Sequence, residues 1–110
     1  MDEKICELRD TVRELLQNII KRIDDITVAY NNDGDFETDR LQNLFDDLNS
    51  LAEGISIMKM YYPDLDLSEF QEKTEMMESA IEVHDTMLLS DLLRFELKDL
   101  LIFWEKCLAS

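Results

Sequence analysis

The sequence predicts an all-α protein, an antiparallel up-down four-helix bundle, and three observations carry that expectation. Only two glycines and one proline occur among 110 residues. A sheet protein of this length needs a turn signal about every 8–12 residues, whereas a few long helices need very few. Apolar residues make up 45% of the chain and charged residues 34%, a balance that suits a folded globule rather than a disordered tail. The apolar residues also recur every three or four positions over long stretches, the spacing of helices that bury one face. The length fits one domain, residues 1–110, able to bury a single core.

Helix 1 is expected from about Glu3 to Tyr30. At ~100° per residue, Ile5, Leu8, Val12, Leu15, Leu16, Ile19, Ile20, Ile23, Ile26 and Tyr30 form one stripe, with Glu7, Asp10, Glu14, Gln17, Lys21 and Asp25 opposite. The run Asn31-Asn32-Asp33-Gly34-Asp35-Phe36 is the strongest turn signal in the chain. Helix 2 follows to about Tyr62, with Leu41, Leu44, Phe45, Leu48, Leu51, Ala52 and Ile55 on its stripe, and Pro63 ends it.

Asp66 is a candidate N-cap for helix 3, with Glu69 three residues on and Leu65 and Phe70 placed as a hydrophobic staple. Ser68 with Gln71 is an equal alternative. Helix 3 turns Phe70, Thr74, Met77 and Ile81 inward and ends near His84 and Asp85. Helix 4 runs from about Thr86 to Leu108 on a broad stripe of Leu89, Leu92, Leu93, Leu97, Leu100, Phe103, Trp104 and Cys107. Short connections make neighbouring helices antiparallel. The rival architecture is three long helices with helices 3 and 4 fused, because neither Gly nor Pro stands near His84.

Several chemistries fail on residue type and spacing. Asp33, Gly34 and Phe36 match the middle of a calcium-binding EF-hand loop. That alignment puts Ala29 at the first ligand position and Arg40 at the bidentate acid position, so the segment reads as an acidic turn that also caps helix 2. His84 is the only histidine, too few for a typical zinc site. The Glu-x-x-His pairs of di-iron bundles are missing, since Ile81 stands three residues before His84. No catalytic, cofactor-binding or metal site is expected, and the chain reads as a non-enzyme. The charged start and the lack of a run of about 18 apolar residues place it in the cytoplasm, away from membrane. Cys6 and Cys107 then read as reduced thiols, which an antiparallel path brings to the same end of the bundle.

Three polar residues fall where the wheel expects burial: Glu96 within the helix 4 apolar arc, Lys59 on the helix 2 stripe, and His84 on the apolar side of helix 3. A buried charge must be paired. Lys73, Arg9 and Arg13 are the partners level with Glu96, while Lys59 can snorkel at its helix end.

The net charge of −15 is unevenly spread. Residues 31–85 carry fifteen acids and three bases, giving −12, against −2 for residues 1–30 and −1 for residues 86–110. Such a field repels nucleic acid and anionic lipid. Helix 4 carries more apolar surface than one core needs: Leu88, Phe95 and Ile102 recur every seven residues off the main stripe. They form a candidate seam for docking a protein partner or a second copy.

The closing run Leu88-Leu89-Ser90-Asp91-Leu92-Leu93-Arg94-Phe95-Glu96-Leu97, with Leu100, Leu101 and Trp104 beyond, resembles small uncharacterised helical-bundle proteins of clostridia and related Gram-positive bacteria. Those have a similar leucine-rich last helix, and the likeness is specific over about the last quarter of the chain. It implies no activity. Some similar proteins look like companions of flagellar components, which makes a chaperone-like companion one expectation. The leading one is a non-catalytic interaction module docking through helix 4, as a homodimer or bound to a protein partner. The alternative is an acidic decoy that holds a basic partner through helices 2 and 3.

Overall fold

The computed structural model describes residues 3–109; Met1, Asp2 and Ser110, at the ends of the expected domain, lie outside the described residues. Helix α1 (Glu3–Asp33) buries Val12, Leu16, Ile19, Ile23 and Ile26, the centre of the expected stripe. The buried Thr27 hydroxyl donates back to the Ile23 carbonyl at 2.9 Å, so no polar group is stranded in that face. α1 outruns its expected end and stops where Gly34, at φ 80°, donates its N–H to the Tyr30 carbonyl at 2.7 Å. Glycine fits that left-handed position without a Cβ clash.

Helix α2 (Thr38–Met58) buries Leu44, Leu48, Leu51, Ile55 and Met58. The acidic turn does not cap it: Glu37 precedes the first turn with no side-chain bond to it. Asp35 instead accepts from the Phe36 N–H at 2.8 Å. α2 also stops short of Tyr62. The Tyr61 and Tyr62 N–H groups both turn onto the Met58 carbonyl, at 2.9 and 3.0 Å, because Pro63 drives the preceding residue out of helical geometry.

Helix α3 (Leu67–Glu82) begins as expected. Asp66 accepts from the Glu69 N–H at 3.2 Å, and Leu65 and Phe70 are each only 3% exposed, closing the staple. The far end separates α3 from the next helix and removes the fused alternative. His84 donates to the Ile81 carbonyl at 3.1 Å and Asp85 to the Ala80 carbonyl at 2.9 Å, the two bonds of a Schellman motif. His84 occupies its left-handed position at φ 57°. Asp85 then caps the next helix by accepting from the Leu88 N–H at 3.1 Å.

Helix α4 is built of three consecutive stretches: α-helical Thr86–Asp91, a π-helical turn Leu92–Leu97 and α-helical Lys98–Ala109. The wider turn shifts the wheel. Glu96 and Phe103 face solvent, whereas Leu97, Leu101 and Leu108 are fully buried. α1 packs along α2 and the second half of α4, and α3 packs on the first half of α4 and its π turn; consecutive α2 and α3 meet only sparsely. Ion pairs Arg13–Glu105 (3.0 Å) and Asp24–Lys98 (2.6 Å) tie α1 to α4, and Arg22–Asp47 ties α1 to α2. The bundle measures 46 × 22 × 20 Å. Among the described residues, no helix is long and apolar enough to cross a membrane.

Two predictions come from the backbone. A Cβ added at Gly54 would lie 2.8 Å from Val12 Cγ2, and that stiff, buried side chain has nowhere to retreat. Overpacking costs about 1–3 kcal/mol against a helix-propensity gain of about 1 kcal/mol. Gly54→Ala should therefore lower stability by about 1 kcal/mol in the parent and raise it by a similar amount beside Val12→Ala. Urea denaturation of the four proteins reads this directly, and strict additivity would sink the close-contact account. Separately, His84→Gly should raise stability by about 0.5–1 kcal/mol, the left-handed penalty less glycine's entropy. An unchanged or lower urea midpoint would count against that penalty.

Candidate functional site

Because α2 and α3 hardly touch, a furrow of about 430 Å³ runs between them. Phe45, Leu48 and Ala52 from α2 and Phe70 and Ile81 from α3 supply its apolar lining. Gln42, Asn49, Gln71, Thr74 and Glu78 supply the polar part. Phe70 rests against Trp104, ring centroids 5.3 Å apart, which fixes the furrow to the core. Trp104 is wholly buried, and among the described residues its indole N–H finds no acceptor. Thr74 and Ile81, expected inside, line the opening instead, and Ile81 is 38% exposed. Their wheel positions are as expected; the neighbour that would have covered them stands away.

Closing the gap would strip water from three amide side chains and the Glu78 carboxylate, a penalty that unpartnered polar groups cannot recover. Like charge adds to it, since α2 carries four acids and one base and α3 five acids and one base. At the end where the α1–α2 loop meets the α3–α4 turn, the furrow adjoins a recess of about 250 Å³, the two sharing Ile81. Phe36, Leu41, Ala80 and Leu89 line the recess, with the exposed Asp35 and Asp85 beside them.

The polar residues expected to be buried are not. Glu96 lies 56% exposed, turned out by the π turn, and accepts from Lys73 Nζ at 2.9 Å. Lys59 is exposed at the C-cap of α2, where its N–H still donates to the Ile55 carbonyl at 2.9 Å. His84 is exposed in its left-handed turn. Of the ion-paired side chains among the described residues the most buried is Lys73, 15% exposed between Glu96 and Glu69, and its place between Phe70 and Met77 on the α3 stripe was the signal for it. Its ammonium is held above the usual lysine range by the Glu96 hydrogen bond, against a smaller opposing effect of burial.

Of the seam residues, Leu88 and Phe95 are exposed and Ile102 is half-buried. The Arg94 guanidinium lies 5.2 Å from the centre of the Phe95 ring, a cation–π contact that covers one face of it. No disulfide joins Cys6 and Cys107. Burial, with the nearby Asp64 carboxylate, pushes the Cys107 thiol up. Among the described residues, no group of three or more His, Cys, Asp or Glu side chains is placed to hold a metal ion.

With that geometry in place, the chain belongs to the family described as a domain of unknown function (DUF8042), which matches residues 7–107. No curated protein matches the chain, and no solved structure does.

On the opposite side of the bundle, Glu105 accepts from Arg13 at 3.0 Å and from Gln17 at 3.2 Å, and these bonds hold its carboxyl below the usual glutamate range. A depressed carboxyl contributes stability above its unfolded value, about 4.3, and loses it as pH falls through the folded one. Glu105→Gln should thus be less stable than the parent near neutrality, with the difference shrinking from about pH 5 downward. Thermal melts of both proteins from neutral to acid pH read that difference, and a constant gap would exclude the linkage.

Proposed function

We propose that the chain is a non-catalytic, cytoplasmic protein-binding module that receives a basic amphipathic helix of a partner protein in the furrow between α2 and α3. One observation carries the reading: the bundle leaves a furrow of about 430 Å³, part apolar and part polar, open between its two most acidic helices. Helix-in-groove recognition needs an apolar lining for the partner's i, i+3, i+4, i+7 positions and a rim that suits its polar face. Among the described residues, no lysine or arginine lines the furrow or the adjoining recess. The flanking carboxylates favour a cationic visitor, speed its approach and disfavour a second copy of this chain. The likeness of the closing helix to clostridial bundle proteins supports a Gram-positive setting for the module. The seam on α4 supports docking less well, because Arg94 covers a face of Phe95 and Ile102 is already half-buried.

The test uses the whole chain and a peptide of about 14 residues, lysine and leucine only, with leucine at every third or fourth position. Backbone NMR shifts should move at Phe45, Ala52, Thr74 and Ile81. Ala52→Trp, which fills the channel, should weaken binding at least tenfold while the thermal melt stays cooperative. Raising salt well above physiological strength should weaken binding several-fold. Shifts clustered around Phe95 and Leu88 instead would overturn the furrow reading in favour of the α4 seam.

A further inference from the structure

We infer that the recess at the end of the furrow is an anchor site for one bulky apolar side chain, leucine, methionine or phenylalanine, carried beside a lysine or arginine on the docked helix. The inference rests on the furrow reading and sharpens it, since an anchor at one end fixes the register of the visitor.

The recess is built before any ligand arrives. Phe36 stacks on Tyr30 with ring centroids 4.5 Å apart and planes within 8°. The Tyr30 hydroxyl meets the Thr86 hydroxyl at 3.0 Å, pinning the start of α4 to the end of α1. Asp35 is held by the Phe36 N–H and Asp85 by the Leu88 N–H. The Schellman bonds of His84 and Asp85 fix the remaining wall. Four chain segments thus converge on an opening whose shape is set by local contacts, and a preorganised pocket spends little affinity on ordering itself.

Its chemistry names the occupant. The interior is apolar, drawn from Phe36, Leu41, Ala80, Ile81 and Leu89, so it favours a hydrocarbon or aromatic side chain. Asp35 and Asp85 come from different connections, and each accepts one backbone N–H through a single oxygen. Each keeps a negative charge beside the opening. A bulky apolar residue followed or preceded by a cation satisfies both demands; an acidic neighbour would be repelled.

Labelled peptides and fluorescence anisotropy on the whole chain test this. The probe is the lysine–leucine peptide with phenylalanine at both terminal apolar positions, compared with alanine at those positions. With the parent protein, the alanine peptide should bind about tenfold more weakly, the loss expected of an anchor side chain. With Thr38→Trp, whose indole is placed over the recess, the two peptides should differ by less than about twofold. The pair Asp35→Asn with Asp85→Asn keeps the cap, because asparagine accepts the same bonds. It should weaken the phenylalanine peptide several-fold with little change in melting midpoint. This pair decides the matter should Thr38→Trp lose its cooperative melt. An equal phenylalanine preference in the parent and Thr38→Trp, with the furrow shifts intact, overturns the anchor and leaves furrow docking standing. No preference in the parent, again with furrow shifts present, does the same. Absence of furrow shifts with either peptide overturns both readings together.

Discussion

Leu89, Leu93, Leu97 and Leu101 recur at every fourth residue and are all buried, a spacing that drifts around a regular α-helix. Each step of four overshoots a full turn by about 40°, so three steps would carry the last leucine about 120° around the helix. The π turn at Leu92–Leu97 narrows that drift, because its i→i+5 pattern takes up about one more residue per turn. The four leucines then stay on one face, and Trp104 and Leu108 continue it. α4 can thereby pack on α3 with its first half and on α1 with its second. The rest of the arrangement follows from that alignment.

Once α4 holds both α1 and α3, the core is satisfied along three edges of the bundle and α2 needs only α1. The fourth edge stays open because what faces across it is poor interface. Small and polar side chains, Ala52, Asn49, Gln71 and Thr74, occupy positions that would need large apolar residues to seal. The ion pairs lie elsewhere, joining α1 to α2, α1 to α4 and α3 to α4. Partly exposed pairs of this kind are worth under about 1 kcal/mol each, so they select which edges meet more than they set total stability. The furrow is thus what remains when the apolar residues have found better partners.

Much of this was legible in the sequence, and the residues show why the remainder was not. The α1 stripe, the Asp66 cap with its Leu65–Phe70 staple and the antiparallel order rest on local periodicity and capping chemistry, which a sequence displays directly. The π turn does not announce itself, and a wheel drawn at constant pitch therefore placed Glu96 and Phe103 inside and missed Leu101. His84 hid the break between α3 and α4, because a left-handed cap is usually glycine. Thr74 and Ile81 were placed on the right face of α3. What periodicity cannot say is whether a neighbouring helix covers that face, and the furrow depends on that one fact. The seam of Leu88, Phe95 and Ile102 had the same weakness: spacing finds a stripe but not the Arg94 side chain lying over it.

The open edge also brings together two readings that the sequence held apart. An acidic decoy and a helix-docking module both require the carboxylates of α2 and α3, but they require different things between them. A decoy that imitates a polyanion works through charge alone, and its binding surface should be polar throughout. Here the acidic helices flank Phe45, Ala52 and Ile81, over the buried Leu48 and Phe70, a lining that electrostatics has no use for. Charge of this kind hastens encounter and rejects wrong partners, while apolar contact in a preformed cavity sets how long a partner stays. In the docking role proposed here, that division of labour suits a partner that is cationic on one side and hydrophobic on the other, which an amphipathic helix is and a nucleic-acid-binding surface is not.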